Sequence, residues 1–252
     1  MNNQIGLVDW GIGGLSVYKE LKKEIKNFSC IYLSDAGHSP YGKTRSSKLI
    51  QRLHHLSDFF RKQDVKTIVI ACNAASTVLG QLQKLNPDIK YYGMLEAGEK
   101  AIRQSHSKSV LVLAGKRTVQ SQFFQKRFKD SKVLLLVRSA QPLSGLIEKG
   151  QQHSAIFIAE VTRLARNQQV KAVLLACTHY PAATAVFQKK FPNAMVIDPA
   201  RNLAAELKKI IKPVSITSKS KFYTTGSVAL SKASAYKAFQ LKISSFEKVK
   251  IK

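Results

Sequence analysis

Short apolar stretches rich in β-branched residues alternate along this chain with stretches whose apolar residues recur every three or four positions. The first pattern is typical of strands buried on both faces of a parallel sheet, and the second of helices that cover such a sheet. We predict strands at Gln4–Asp9, Cys30–Asp35, Thr67–Cys72, Tyr91–Leu95, Ser109–Gly115, Lys132–Arg138, Ala172–Cys177 and Ala194–Asp198. We predict helices between them at Leu15–Ile25, Ser46–Lys62, Asn73–Leu85, Thr118–Phe128, Ser144–Asn167 and Pro181–Phe191. This alternation predicts an α/β protein with two doubly wound parallel sheets.

The two halves of the chain contain a repeat. Val65–Asn73 and Val170–Thr178 are both β-branched apolar runs that end at a cysteine, and the cysteines, Cys72 and Cys177, lie 105 positions apart. Nine of the 27 residues at positions 61–87 are identical to the residue 105 positions further on, where about two would be expected by chance. A general likeness between parallel strands is the simpler explanation, but the number of identities favours an internal duplication.

Both cysteines lie where an α/β sheet binds ligands, beyond the carboxyl end of a strand. Cys72 and Cys177 each close a predicted strand and precede a predicted helix, whose N-terminus favours a thiolate and a bound carboxylate. The third cysteine, Cys30, lies inside a predicted strand, where a cysteine behaves as a small buried apolar residue.

The repeat predicts two similar domains related by internal duplication. The chain is expected to cross into the second domain near Glu96-Ala97-Gly98 and to return near Asp198–Ala205. A last strand near Lys221–Thr225 and a helix near Val228–Leu241 would then pack on the first domain. We therefore predict a first domain of residues 1–95 plus 206–252 and a second of residues 96–205. The lysine-rich stretch Lys212–Lys221 is expected to be a surface connection.

The composition predicts a cytoplasmic protein with a substantial core. The chain has 252 residues, 44% of them apolar, and has no apolar run long enough to cross a membrane. It enters a predicted strand within its first few residues, which leaves no room for a signal peptide. Three distant cysteines do not make a disulfide framework.

The charge is strongly basic, with 41 Lys and Arg against 15 Asp and Glu, a formal net charge of +26. Such a balance is compatible with a polyanionic partner such as nucleic acid or anionic lipid. The lysines are spread over nearly every segment, however, with no dense arginine tract and no known nucleic-acid motif. We therefore favour a solvated surface over nucleic-acid binding.

A glycine-rich loop, Asp9-Trp10-Gly11-Ile12-Gly13-Gly14, follows the first predicted strand. Glycines in such a loop let backbone N–H groups approach an anion. The pattern resembles half of a dinucleotide fingerprint, with Asp35 at a suitable distance. Ser16, however, stands where the third glycine belongs, and Asp9 would repel a pyrophosphate, so we do not favour dinucleotide binding.

The segment Cys177-Thr178-His179-Tyr180-Pro181 places a histidine two residues after the second cysteine. Thr178 can cap the following helix, and Pro181 suits its first turn. A metal site would need further ligands, and His38 is too isolated to supply one. Two cysteines at equivalent places suit a different chemistry, in which one removes a proton from a substrate and the other returns one from the opposite face.

The chain resembles the cofactor-independent aspartate/glutamate racemases over almost its full length. The motifs that carry the resemblance are Asp9-x-Gly11-x-Gly13-Gly14-Leu15, Asp35 with Pro40-Tyr41-Gly42, Ala71-Cys72-Asn73 with Ser76, Thr118-Val119-x-Ser121, Pro142-Leu143 with Glu148, Cys177-Thr178-His179-Tyr180-Pro181, Asp198-Pro199 and Thr225-Gly226.

The resemblance implies two α/β domains with the active site between them. It implies a two-base racemase, interconverting L- and D-glutamate, that uses neither pyridoxal phosphate nor a metal and is usually a homodimer. It implies that Cys72 and Cys177 are the two bases and that Asp9 and His179 assist them, with Glu148 near His179. It implies further that the substrate's charged groups are held by the remaining site residues, Tyr41, Gly42, Asn73 and Thr178. The D-enantiomer would supply peptidoglycan synthesis.

Two positions that usually touch the amino acid depart from the family pattern. Trp10 replaces a serine, which adds bulk and an indole N–H, and Ala74 replaces a threonine, which removes a hydroxyl. Without this hydroxyl, one oxygen of the substrate lacks a hydrogen-bond donor, which weakens its binding by on the order of 1 kcal/mol or more. Three hypotheses therefore stand: a glutamate racemase, a racemase of another amino acid with the same mechanism, and a basic protein that binds nucleic acid or a DNA enzyme on this fold.

Overall fold

The structure, a computed structural model, describes residues 4–211 and 219–251. In these two ranges the strands are β1 (Ile5–Asp9), β2 (Cys30–Ser34), β3 (Thr67–Ile70), β4 (Lys90–Gly93), β5 (Ser109–Ala114), β6 (Leu134–Ser139), β7 (Ala172–Ala176), β8 (Met195–Ile197), β9 (Lys221–Thr224) and β10 (Glu247–Lys248). The eight strands predicted between residues 4 and 198 correspond, in order, to β1 through β8. The ninth prediction corresponds to β9, whereas β10, at the chain's end, was not predicted.

The strands form two parallel sheets. The first has the order β10-β9-β2-β1-β3-β4 and the second the order β6-β5-β7-β8, counted over the described residues. All pairings are parallel. The order β2-β1-β3-β4 in the first sheet corresponds, strand for strand, to β6-β5-β7-β8 in the second. This confirms the predicted α/β fold class with parallel sheets in two domains.

Helices and turns connect the strands. They are α1 (Leu15–Glu24), α2 (Ser46–Arg61), α3 (Asn73–Ser76), α4 (Leu79–Leu85), α5 (Met94–Gln104), α6 (Lys116–Gln120), α7 (Phe123–Arg127), α8 (Gln141–Glu148), α9 (Ala155–Ala165), α10 (Thr184–Lys190), α11 (Pro199–Lys208) and α12 (Val228–Phe239), with 3-10 turns at Tyr41–Lys43 and Tyr180–Ala183. Three predicted helices are each divided in two: α3 with α4, α6 with α7, and α8 with α9.

Two of the divisions have a visible backbone cause. Gly150, after α8, has φ +73°, and Gln122, before α7, has φ +55°. Both values lie in the left-handed region, which no α-helix passes through. The helices α5 and α11 were not predicted as such. The first lies where we expected the crossing between domains, and the second begins at the expected return, where Asp198 caps it by accepting a hydrogen bond from the Ala200 N–H at 2.9 Å.

The core joins the two sheets. One buried apolar cluster lies only in the first half, for example Val8, Ile68 and Leu53, and another only around the second sheet, for example Val110 and Phe124. The largest cluster contains residues of both sheets and of the helices between them. Because α11 packs on both α1 and α5, the shared cluster fixes how the two sheets face each other.

The C-terminal strands belong to the first sheet, since β9 pairs with β2 and β10 pairs with β9. The division into residues 1–95 plus 206–252 and residues 96–205 stays a prediction. The expected surface connection at Lys212–Lys221 falls mainly on residues 212–218, which lie outside the described residues.

Candidate active site

The carboxyl ends of three strands bring the candidate residues together. Asp9 is the last residue of β1, Cys72 follows β3 by two positions, and Cys177 directly follows β7. Strands β1 and β3 are neighbours in the first sheet, so Asp9 and Cys72 share one edge. The Thr178 hydroxyl donates to Asp9 Oδ2 at 3.3 Å, which brings the second sheet's edge against the first.

Asp9 organises the loop that follows it. Its carboxylate is 1% exposed and accepts hydrogen bonds from the N–H groups of Trp10 at 2.7 Å and Gly14 at 2.6 Å. Burial raises the pKa of Asp9, and the charge of His179, the Cys72 thiol and the two N–H groups oppose that shift only in part. The net effect is a carboxyl that takes up a proton more readily than an exposed aspartate does.

Cys72 is held as a thiol. It is 8% exposed, and its side chain is hydrogen-bonded to the Asp9 carboxylate. Burial raises the pKa of Cys72 well above its ordinary value, and the negative charge of Asp9 raises it further, against a smaller opposing effect from the Ala75 N–H. The charge of Cys177 also raises this pKa, so the two sulfurs are within electrostatic reach of each other. The net direction is opposite to the helix-terminus effect expected from sequence, because burial and the charge of Asp9 dominate the pKa of Cys72.

The surroundings of Cys177 are different. Its Sγ lies 3.8 Å from Nδ1 of His179, whose Nε2 lies 2.6 Å from Oε2 of Glu148. Burial lowers the pKa of His179, but the hydrogen bonds to Cys177 and Glu148 outweigh it, and the net pKa lies well above the ordinary value. The partner of the Cys177 sulfur is therefore an imidazole, whereas the partner of Cys72 is a carboxylate.

The glycine-rich loop packs against side chains from the second half of the chain. A Cβ at Gly13 would collide with the His179 imidazole and would lie 2.8 Å from the Thr178 hydroxyl. The Ile12 N–H donates to Glu148 Oε2 at 3.3 Å. The N–H groups of this loop therefore donate to two protein carboxylates, Asp9 and Glu148, which gives the glycine pattern a role without a phosphate.

Tyr41 supports the site from behind. Its hydroxyl donates to Asp35 Oδ2 at 2.8 Å, and the same carboxylate pairs with the Arg52 guanidinium at 2.6 Å and accepts from the Thr225 hydroxyl at 2.8 Å. The Tyr41 hydroxyl therefore already donates its proton in a hydrogen bond to Asp35. Gly42, next to it, faces the second half, because a Cβ there would lie 3.7 Å from Oε1 of Gln141.

The two departures from the family pattern lie against one apolar cluster. Trp10 and Ala74 are partly buried and both pack on the cluster that contains Cys72 and Tyr41. The Trp10 indole N–H donates to the His38 carbonyl at 2.8 Å. This hydrogen bond ties the loop after β1 to the loop after β2.

Among the buried side chains whose polar atoms have no partner in the described residues, two lie on helices that follow strand ends at the site. They are both the Nδ2 and the Oδ1 of Asn73, which is 2% exposed, and the hydroxyl of Thr118, which is 1% exposed. Asn73 opens α3 and Thr118 lies in α6, and these helices contact each other. Buried polar groups are normally paired, so these atoms are free to bind a polar ligand.

The structure thus brings together Asp9, Cys72, Asn73, Cys177, Thr178 and His179, and places Trp10, Tyr41, Gly42 and Ala74 around them. Sequence reasoning quoted the motif that contains Thr118 but did not place this residue in the site. The signal that was available is a threonine one turn after a strand end in the second half. No group of three or more His, Cys, Asp and Glu in the part of the chain that the structure describes is arranged to hold a metal ion.

Comparison with known proteins agrees with this geometry. Residues 5–207 match the model of the Asp/Glu/hydantoin racemase family, and the chain belongs to this family. It is 32% identical over 198 residues to the glutamate racemase of Leptospira interrogans, which covers 77% of each chain.

Solved structures show the same fold. The glutamate racemase isoform of Bacillus anthracis superposes with a TM-score of 0.88 at 25% identity, over 98% of this chain and 97% of that one. The glutamate racemase of Francisella tularensis, solved with D-glutamate, superposes with a TM-score of 0.86 at 23% identity, over 98% and 97%. The predicted family is confirmed, and the chain is a racemase, an isomerase.

Proposed function

We propose that this racemase interconverts L- and D-glutamate with Cys72 and Cys177 as its two bases. The observation that carries the proposal is the pair of thiols at corresponding strand ends of two sheets, each with its own acid–base partner. Asp9 partners the first thiol and His179 the second. One substrate carbon between them would be open to proton transfer on both faces.

The first step starts from a Cys177 thiolate and a Cys72 thiol. The thiolate takes the α-proton, the C–H electron pair stays on the α-carbon, and the Cys72 thiol delivers its own proton to the opposite face. The carbanion is stabilised by preorganised donors in a site that excludes water. The product has the opposite configuration, and the thiol and thiolate have exchanged places.

Asp9 and His179 return the site to its starting state. Because burial raises the pKa of Asp9, this carboxyl can hold a proton beside a Cys72 thiolate. The Cys72 thiolate takes the proton of the Asp9 carboxyl, which regains one from solvent, and the Cys177 thiol loses its proton to solvent by way of the His179 imidazole, which Glu148 holds. The enantiomers are then treated symmetrically although the two thiols have different neighbours.

Glutamate is the substrate that the relatives favour, since the curated relatives are named glutamate racemase. The unpartnered amide of Asn73 and hydroxyl of Thr118 suit the carboxylate and ammonium groups of an amino acid. We further propose that Tyr41 and Gly42 bind through their backbone groups, and that Thr178 shares its hydroxyl between Asp9 and the substrate.

The cellular setting is proposed from the same identity. D-glutamate would feed peptidoglycan synthesis, and the protein would work as a homodimer in the cytoplasm, where its three free cysteines stay reduced. The structure has no helix, within the described ranges, that is long and apolar enough to cross a membrane.

The experiment is exchange of the α-hydrogen with deuterium from solvent, measured by NMR over a panel of L- and D-amino acids without added cofactor. We expect exchange with inversion for both enantiomers of glutamate and at least 100-fold slower exchange for aspartate, glutamine and alanine. Preference for another amino acid would establish the second hypothesis, in which Trp10 reshapes the pocket. No exchange with any of them would reject the proposal.

A further inference from the structure

Arg117 joins the two halves of the molecule. It lies in α6, after the second sheet's β5, and its guanidinium donates from Nε to the Thr77 hydroxyl at 2.8 Å. Nη1 donates to the Thr44 carbonyl at 2.6 Å, and Nη2 to the Ser46 hydroxyl at 2.9 Å. All three acceptors lie in the part of the chain that forms the first sheet and its helices.

The acceptors belong to the segments that carry the first-half site residues. Thr44 directly follows the turn Tyr41–Lys43, and Thr77 directly follows α3, the helix after the first cysteine. The Thr77 hydroxyl in turn donates to the Ala74 carbonyl at 2.7 Å. One guanidinium therefore fixes both segments relative to α6, whose next residue is Thr118.

The charge of Arg117 has no acidic partner among the described residues, because its hydrogen bonds go to two hydroxyls and a carbonyl. Burial lowers the pKa of Arg117, and the negative charge of Cys72 opposes this effect. Arg117 is only partly buried, and taking part of a guanidinium out of water without a carboxylate partner carries some desolvation cost. Its cost is easier to understand if the contact serves the site.

We infer that Arg117 is a positioning residue, which holds the two walls of the cleft at the spacing that substrate binding requires. As far as turnover is concerned, the inference rests on the proposed function. Without the guanidinium, only a fraction of the free protein would have the closed spacing, and substrate would have to supply the closure. The apparent KM then rises by the reciprocal of that fraction, while kcat at saturation changes little.

The kinetic test compares Arg117→Met with wild type. We expect KM for glutamate to rise about 10-fold or more and kcat to stay within about threefold. Arg117→Lys keeps the charge but cannot reach three acceptors at once, so it should fall between them. The matched control is Arg163→Met, which should behave as wild type. Within residues 4–211 and 219–251, the side chain of Arg163 is hydrogen-bonded to Glu160 alone, on the exposed face of α9.

A second measurement does not depend on the substrate. Hydrogen exchange followed by mass spectrometry should show at least fivefold faster exchange at residues 41–46 and 73–77 in Arg117→Met, with strand β5 unchanged. If no amino acid is racemised but this loss of protection is seen, the proposed function is rejected and the positioning role of Arg117 is supported. Unchanged KM and unchanged protection in a folded variant would overturn the inference. If Arg117→Met does not fold, unchanged values in Arg117→Lys would overturn it equally.

Discussion

At the scale of single residues, the two thiols differ in what surrounds them. Cys72 faces a carboxylate that keeps its pKa high, whereas Cys177 faces an imidazole whose own pKa is raised. The two thiols therefore have different acid–base partners, a carboxyl and an imidazole, and the proposed two-base reaction needs one thiol and one thiolate. The asymmetry arises from Asp9 and His179, because the strands that carry the thiols are alike.

The first prediction concerns these cysteines. Cys72→Ala and Cys177→Ala should each reduce racemisation of glutamate at least 1,000-fold, because each direction needs a base on one face and an acid on the other. Both variants should keep the wild-type circular dichroism spectrum. Cys30→Ala is the matched control, since Cys30 is fully buried in β2 and its raised pKa of about 12 keeps it a thiol. Near-normal racemisation by either catalytic variant would contradict the assignment.

The second prediction concerns Trp10 and Ala74, which pack on the same cluster. Trp10→Ser should leave a void and lose the hydrogen bond to the His38 carbonyl, and Ala74→Thr should crowd the indole. The double variant should turn over glutamate better than the two single effects combined, by about 1 kcal/mol in kcat/KM. Strictly additive effects in this double-mutant cycle would mean that the two departures are independent.

At the scale of elements, the strands were predictable and the interruptions of helices were not. Residues 68–70 and Ala172–Ala176 are apolar throughout because both faces are buried, and that pattern is visible in sequence. The break at Gln122 depends on a left-handed backbone at a non-glycine residue, which periodicity does not encode. Similarly, the repeat revealed both cysteines, but Arg117 acts only through contacts with the other half of the chain, which no local pattern records.

The third prediction concerns the start of α11. Burial raises the pKa of Asp198 to about 6, against the opposing Ala200 N–H. The folded state then binds more protons than the unfolded state from about pH 4 to pH 6, so this group's contribution to stability falls as pH rises through that range. Asp198→Asn keeps a capping oxygen without the charge.

The free energy of unfolding of Asp198→Asn, relative to that of wild type, should therefore increase by about 1–2 kcal/mol from pH 5 to pH 8. Urea titrations at each pH measure this difference. Asp130→Asn, at an exposed position, is the control and should show little change. An advantage that shrinks toward pH 8 would contradict the assigned direction.

At the scale of the whole molecule, the two sheets together form the site, and the positive charge is spread over nearly every segment of the chain. The thiols belong to different sheets, and the shared core and α11 hold those sheets together. The net charge of +26 does not enter the mechanism. Fold and family account for the site, and the lysines remain a property of the surface.

The fourth prediction concerns this charge. Binding to duplex DNA should be weak, with Kd above about 1 μM at 0.15 M salt, and should fall steeply as salt rises, because phosphate contacts release counterions. Fluorescence anisotropy with two unrelated duplexes should give equal affinities. Tight, sequence-selective binding at physiological salt would instead support the third hypothesis, a nucleic-acid-binding protein on this fold.

The two-base claim is tested most directly by racemising each pure enantiomer of glutamate in deuterated water and analysing the reaction at less than about 5% conversion. Because one thiol removes the α-proton and a different thiol delivers its own, the account predicts deuterium at the α-carbon of nearly all product molecules and protium in nearly all remaining substrate. This should hold for both enantiomers. Product that retains the substrate's own protium would show that one base removes and returns the same proton, and would contradict the account.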